Sequence, residues 1–137
     1  MPSGKAHTAV AALTYAALAL AQHTPPELTL AGAAVAGLAA LGPDLDLPGS
    51  TASRLFWPLT APLAWLLSRF FTHRGTIHGL AVALLVAAVA WHFLPVAFAV
   101  AITWGWCSHL LLDAGQPAGI PTWPGGPRLR LWFPTWK

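Results

Sequence analysis

Residues 77–113, IHGLAVALLVAAVAWHFLPVAFAVAITWGWCSHLLLD, decide how the chain folds. The stretch holds no Lys, Arg or Glu, and its single Asp stands at the far end. Pro95 divides it, because proline offers no backbone N–H and pushes the residue before it out of helical geometry. The reading is two helices, 76–94 and 96–113, folded into a hairpin. Each reaches the roughly 17 residues that mark the lower limit for spanning a bilayer. The same pattern stands upstream: helices 6–22 and 28–42 flank Pro25-Pro26, the second of them short for a span. The expected fold is therefore all-α, an integral membrane four-helix bundle made of two hairpins in one domain, 1–137.

Composition agrees with that reading. Of 137 residues 56% are hydrophobic and 8% charged, against about a quarter charged in an ordinary soluble domain. So few charges cannot solvate a free surface, and so much apolar content excludes a disordered chain. A lone Cys107 excludes an intrachain disulfide framework. Between the hairpins, 55–72 is apolar but broken by Pro58 and Pro62 and carries Arg54 and Arg69 near its ends. It reads as an interfacial or re-entrant helix. Residues 114–137 turn to Pro, Gly and Trp, an irregular tail anchored in the headgroups by Trp123, Trp132 and Trp136.

The first segment has a rival reading. Lys5, the apolar run and Ala19-Leu20-Ala21 resemble a secretory signal with a cleavage site. His7 breaks that pattern, and the segment is taken as a mature helix. In the two-hairpin topology Lys5, Arg54, Arg69, Arg74, Arg128, Arg130 and Lys137 share one side, while the turns near Pro25 and Pro95 carry no basic residue. By the positive-inside rule the termini face the cytoplasm from an inner membrane. The pI of about 9.8 then reflects a basic rim against anionic lipid and calls for no nucleic acid. A small-residue stretch, Gly32 to Gly37, offers a possible homodimer face.

The polar residues are more informative than the apolar ones. His7 opens the first helix; Asp44 and Asp46 lie in GPDLDLP; His73 and His78 lie in HRGTIH; His109 and Asp113 end the fourth helix. All four places fall at the same membrane face. Asp113 follows His109 by four residues, a rotation of about 40° on a helix, so both point the same way. Each cluster alone has an ordinary alternative: a satisfied polar histidine, a capping or turn aspartate, an anchoring arginine. Together they bring every aspartate of the chain to one rim. Uncompensated carboxylates there would be costly, and the available neutralisers are Arg74, the imidazoles or bound cations. A mixed His/Asp set favours zinc, with manganese or iron as alternatives. The set exceeds the four ligands of a closed structural zinc site, which suggests two ions with open positions. His23, Glu27 and His92 fall near the opposite face.

An early histidine before an apolar helix, the PDLD, HRGxxH and SHLLLD motifs and the following GIPTWP occur in an order that resembles the small inner-membrane metal-dependent hydrolases often labelled LexA-binding. That group is remotely similar to zinc-dependent phospholipase C and P1-type nuclease. The resemblance runs from His7 to Pro124. It implies a membrane-bound hydrolase whose metal centre is carried by His7, Asp44, Asp46, His73, His78, His109 and Asp113, and it suggests phosphoester chemistry.

The expected activity is metal-dependent hydrolysis of a phospholipid or lipid-linked phosphate. A divalent ion lowers the pKa of a water and clamps phosphate, Asp44 or Asp46 serves as ligand or general base, and Arg74 binds a phosphoryl oxygen in two-pronged fashion. A membrane adaptor with a structural metal predicts a closed site with no water-filled pocket. An ion-transport component predicts polar residues at mid-depth, where these helices are nearly bare Ala, Val and Leu.

Overall fold

The Ser3 hydroxyl accepts from Ala6 N at 3.3 Å and so starts helix α1 (Gly4–Ala21). The structure, a computed structural model, describes residues 3–131. Pro25 and Pro26 then set the backbone for α2 (Pro26–Ala39). Gly42–Asp46 tighten into a 3-10 turn. A short α3 (Thr51–Leu55) follows, capped by the Ser50 hydroxyl, which accepts from Ser53 N at 3.1 Å. Next comes α4 (Trp57–Phe70), with Pro62 inside it. A second 3-10 turn, Thr76–His78, leads into α5 (Leu80–Phe93) and α6 (Val96–Ala114). Two short strands close the described chain: β1 (Ile120–Pro121) pairs antiparallel with β2 (Arg128–Leu129).

Both hairpins form, but they do not sit as four equal corners. α6 is central, packing against α2, α5 and α1, and α1 also packs along α2. α5 rests chiefly on α6 from outside. Small residues permit this closeness. A methyl group at Gly105 would run into the Ala36 carbonyl oxygen, so only glycine lets α6 lie this near α2. One core cluster joins Tyr15, Ala19, Ala36 and Ala101; a second joins Ala83, Leu110, Ala114 and Ile120.

Several expectations need correction. Among the described residues two stretches are long and apolar enough to cross a membrane: Pro26–Asp46 and Val96–Ala114. Helix α2 itself, at 14 residues, is short as expected, and its apolar stretch reaches 21 residues only by including the turn to Asp46; the expectation that 76–94 is a full span is the one that fails. Gly79, at ψ 148°, separates the Thr76–His78 turn from α5, which keeps only 14 residues. At about 1.5 Å per residue that helix spans about 21 Å. Most of the 55–72 segment is the single helix α4, and the short α3 ends at the segment's first residue, Leu55. Trp57, Leu59, Trp65 and Phe70 of α4 are exposed, and only Ala64 of that helix is buried. The Gly32–Gly37 stretch does not present a free dimer face. Side chains added there would strike Tyr15 and Thr8 of α1, so the small residues serve packing within the chain. The chain is not purely α, because the tail forms the β1–β2 pair. Of the expected anchors Trp123 is exposed; Trp132, Trp136 and the basic Lys137 lie outside the described residues.

Candidate metal centre

The up-and-down order of α1, α2, α5 and α6 brings the start of α1, the turn after α2, the turn before α5 and the end of α6 to one end of the molecule. There the structure gathers every residue expected at the site. His7, Asp46, His78, His109 and Asp113 are all at most 2% exposed. Asp44 and His73 are partly open, with side chains 15% and 24% exposed.

His109 is fixed by the close approach at Gly105. One turn beyond Gly105 its Nδ1 meets the Ala40 carbonyl one turn beyond Ala36, at 2.6 Å. A carbonyl only accepts, so Nδ1 carries the proton, and a neutral ring turns its Nε2 lone pair inward. That Nε2 is buried with no hydrogen-bond partner. It faces Asp113 Oδ2 at 3.6 Å and Asp44 Oδ1 at 3.7 Å. His78 Nε2 faces the same two oxygens, at 3.7 Å from Asp113 Oδ2 and 3.5 Å from Asp44 Oδ1, and also lacks a partner. These separations are too long for hydrogen bonds. They suit an ion between them, since tetrahedral ligands about 2.1 Å from a metal lie about 3.4 Å apart. Lone pairs and carboxylate oxygens facing one another in a buried space repel unless a cation or proton sits among them.

Two triads have ligand atoms mutually within 4.8 Å: His7, His109 and Asp113, and Asp44, His73 and His78. His7 stacks on His109 with ring centroids 3.8 Å apart, and its Nε2 lies 3.8 Å from Asp113 Oδ1. Asp46 stands behind the imidazoles. Its Oδ1 accepts from His73 Nδ1 at 2.8 Å, and its Oδ2 faces His78 Nδ1 at 3.6 Å. That is the placement of a carboxylate that orients ligating histidines. Burial pushes the His78 imidazole down, but the surrounding carboxylates of Asp44, Asp46 and Asp113 outweigh it and raise its pKa to about 9 in the metal-free protein.

Arg74 holds the left-handed conformation at φ 59°, which costs a residue with a side chain on the order of 1–3 kcal/mol. From there its Nη2 donates to Asp113 Oδ1 at 2.7 Å. A cleft of about 250 Å³ opens above the cluster, lined among others by His7, Asp44, Ser50, His73, Arg74 and Asp113.

Three contributors escape a reading of motifs. The Ala40 carbonyl carries no side-chain signal. Ser50 Oγ donates to the Asp44 carbonyl at 2.9 Å and holds the PDLD turn; its place just before a short helix was the available clue. Arg128 donates to the carbonyls of Ala118, Gly119 and Arg74 at 2.6, 2.8 and 3.1 Å, where charge counting assigns it only to the basic rim.

Fold and site together define a small helical protein with apolar spanning segments and a buried His/Asp cluster at one end. The whole chain, residues 1–137, matches the YdjM inner membrane protein family, and the chain belongs to that family. It is 39% identical over 103 residues to inner membrane protein YdjM of Escherichia coli strain K12, covering 69% of this chain and 50% of that protein. The same figures hold for inner membrane protein YdjM of Shigella flexneri. The chain spans about half the length of these curated relatives. No solved structure matches it significantly. The membrane reading of the sequence thus agrees with the family.

Proposed function

We propose that this protein is a membrane-bound, metal-dependent hydrolase that cleaves a phosphoester in a phospholipid or a lipid-linked phosphate. The observation that carries the reading is the unpartnered, buried His109 Nε2 and His78 Nε2, each 3.5–3.7 Å from Asp44 Oδ1 and Asp113 Oδ2, beneath an open cleft. These four side chains are the primary ligands. His7 and His73 extend them toward a second ion. Zinc suits the donor set best, with manganese or iron as alternatives. When bound, a divalent ion supplies a water of lowered pKa and positive charge against phosphate oxygens.

The chain's own residues do the rest. Asp46 holds His73 through Nδ1, which leaves His73 Nε2 as the ring's one atom for the second ion, so Asp46 orients a ligand and does not itself act as a base. Asp44 is a ligand. Arg74 commits Nη2 to Asp113, and its remaining N–H groups bind a phosphoryl oxygen. The site lies at an end of the helices, where apolar spanning segments would bring it near lipid headgroups, and this supports a lipid substrate over a soluble one. The basic residues on that end support a cytoplasmic orientation of site and termini.

The open cleft favours an enzyme over an adaptor with a closed structural metal. The test is release of phosphate or headgroup from a panel of lipids by purified protein. Release should need an added divalent metal and vanish in Asp113→Asn and His109→Ala. Turnover that persists in chelator overturns the reading.

A further inference from the structure

The C-terminal β1–β2 pair lies beyond every motif that builds the cluster, yet it reaches the site through one side chain. Gly119, at φ 61°, turns the chain into β1; a side chain there would collide with the Leu129 carbonyl of the opposing strand, so glycine is required. That turn lays the Ala118 and Gly119 carbonyls beside Arg128, which takes Ala118 through Nε at 2.6 Å and Gly119 through Nη2 at 2.8 Å. With both bonds made, the guanidinium is immobilised, and the same Nη2 reaches the Arg74 carbonyl at 3.1 Å. The tail is tied down twice more, by Ala81 N to Thr122 O at 3.1 Å and by Leu131 N to Ala114 O at 2.8 Å.

Arg74 needs such a hold. It sits in a left-handed conformation that a residue with a Cβ leaves readily, and from that conformation its guanidinium meets Asp113. We propose that Arg128 is a positioning residue: by clamping the Arg74 carbonyl to the β1–β2 pair it keeps the Arg74 guanidinium on Asp113 and sets the orientation of that carboxylate in the cluster. The role of Asp113 in metal binding rests on the reading above; the clamp on Arg74 does not. A fork-shaped guanidinium is required, since Lys carries the same charge but cannot span three carbonyls.

The test uses the full chain in detergent, comparing parent, Arg128→Ala and Arg128→Lys. Limited trypsin digestion after Arg74 reads the clamp, because cleavage follows the population of the released backbone. Cobalt(II) titration, followed by its visible absorption, reads the coupling to the cluster. Both variants should be cut after Arg74 about tenfold faster, the loss of about one hydrogen bond. Both should bind cobalt about tenfold or more weakly, as for loss of other outer-shell partners. Added guanidinium at millimolar concentration should restore Arg128→Ala. If Arg128→Ala melts globally, Arg128→Lys decides alone. Parent-like cleavage and cobalt binding in Arg128→Lys overturns the proposal, leaving charge as the residue's only contribution. If the parent itself takes up no cobalt, the metal reading falls, and trypsin cleavage alone decides whether Arg128 clamps Arg74.

Discussion

His109 donates through Nδ1 to the carbonyl of Ala40 at 2.6 Å, and this bond between α6 and the end of α2 aims the opposite ring nitrogen at Asp44 and Asp113. It links the helix packing to the chemistry of the cluster. The contact exists because Gly105, one turn earlier, lets the two helices touch.

Gly105→Ala should therefore damage the site from a distance. The added methyl meets the Ala36 carbonyl, and overpacking of this kind costs about 1–3 kcal/mol. Thermal unfolding in detergent should show the loss of stability, and metal titration should show weaker binding than in the parent. Unchanged metal affinity with lowered stability would mean that the Ala40 bond does not govern His109.

Asp44 and Asp46 should separate cleanly. Asp46 contacts histidines, so Asp46→Asn should keep the metal stoichiometry and weaken affinity about 10–100-fold. Asp44 faces the inward nitrogens of His78 and His109, so Asp44→Asn should lower the stoichiometry itself. Equal behaviour of the two variants in metal analysis contradicts the assignment.

The protonation of His78 gives opposite pH trends with and without metal. Its pKa in the metal-free protein is raised, to about 9. The stabilisation from its proton is then complete below the ordinary value near 6.5 and is lost as pH rises through about 9. Metal-free protein should lose thermal stability over that window. A ligating imidazole must release the proton, so metal affinity should rise about tenfold per pH unit across the same window and level off above it. A metal affinity that is flat between pH 6.5 and 9 removes His78 from the ligand set.

Much of this arrangement is legible in the chain because helix hairpins obey parity: His7, Asp44, Asp46, His73, His78, His109 and Asp113 all stand at helix ends that an up-and-down order must bring together. The division of labour between Asp44 and Asp46 is not legible, because a 3-10 turn can send alternate carboxylates either way. The helix boundary at Leu80 is hard to see because the apolar run that follows continues without a break to Trp91, and the chain immediately before it offers only Gly79 as a helix breaker. The central place of α6 depends on Gly105 and Ala36 meeting, and pairing preferences among Ala-rich helices leave little trace in hydropathy. Gly32 and Gly37 read equally well as an outward or an inward face, and Tyr15 and Thr8 of α1 occupy them. Arg128 escaped because its partners are backbone carbonyls, which carry no residue identity.

The central claim is that the His/Asp cluster holds a divalent ion. Metal analysis of the purified protein, set beside His109→Ala and Asp113→Asn prepared in the same way, tests it most directly. The parent should carry at least one divalent ion per chain and both folded variants should carry none. Equal metal content in all three proteins, or none in a parent offered zinc, manganese and iron, contradicts it.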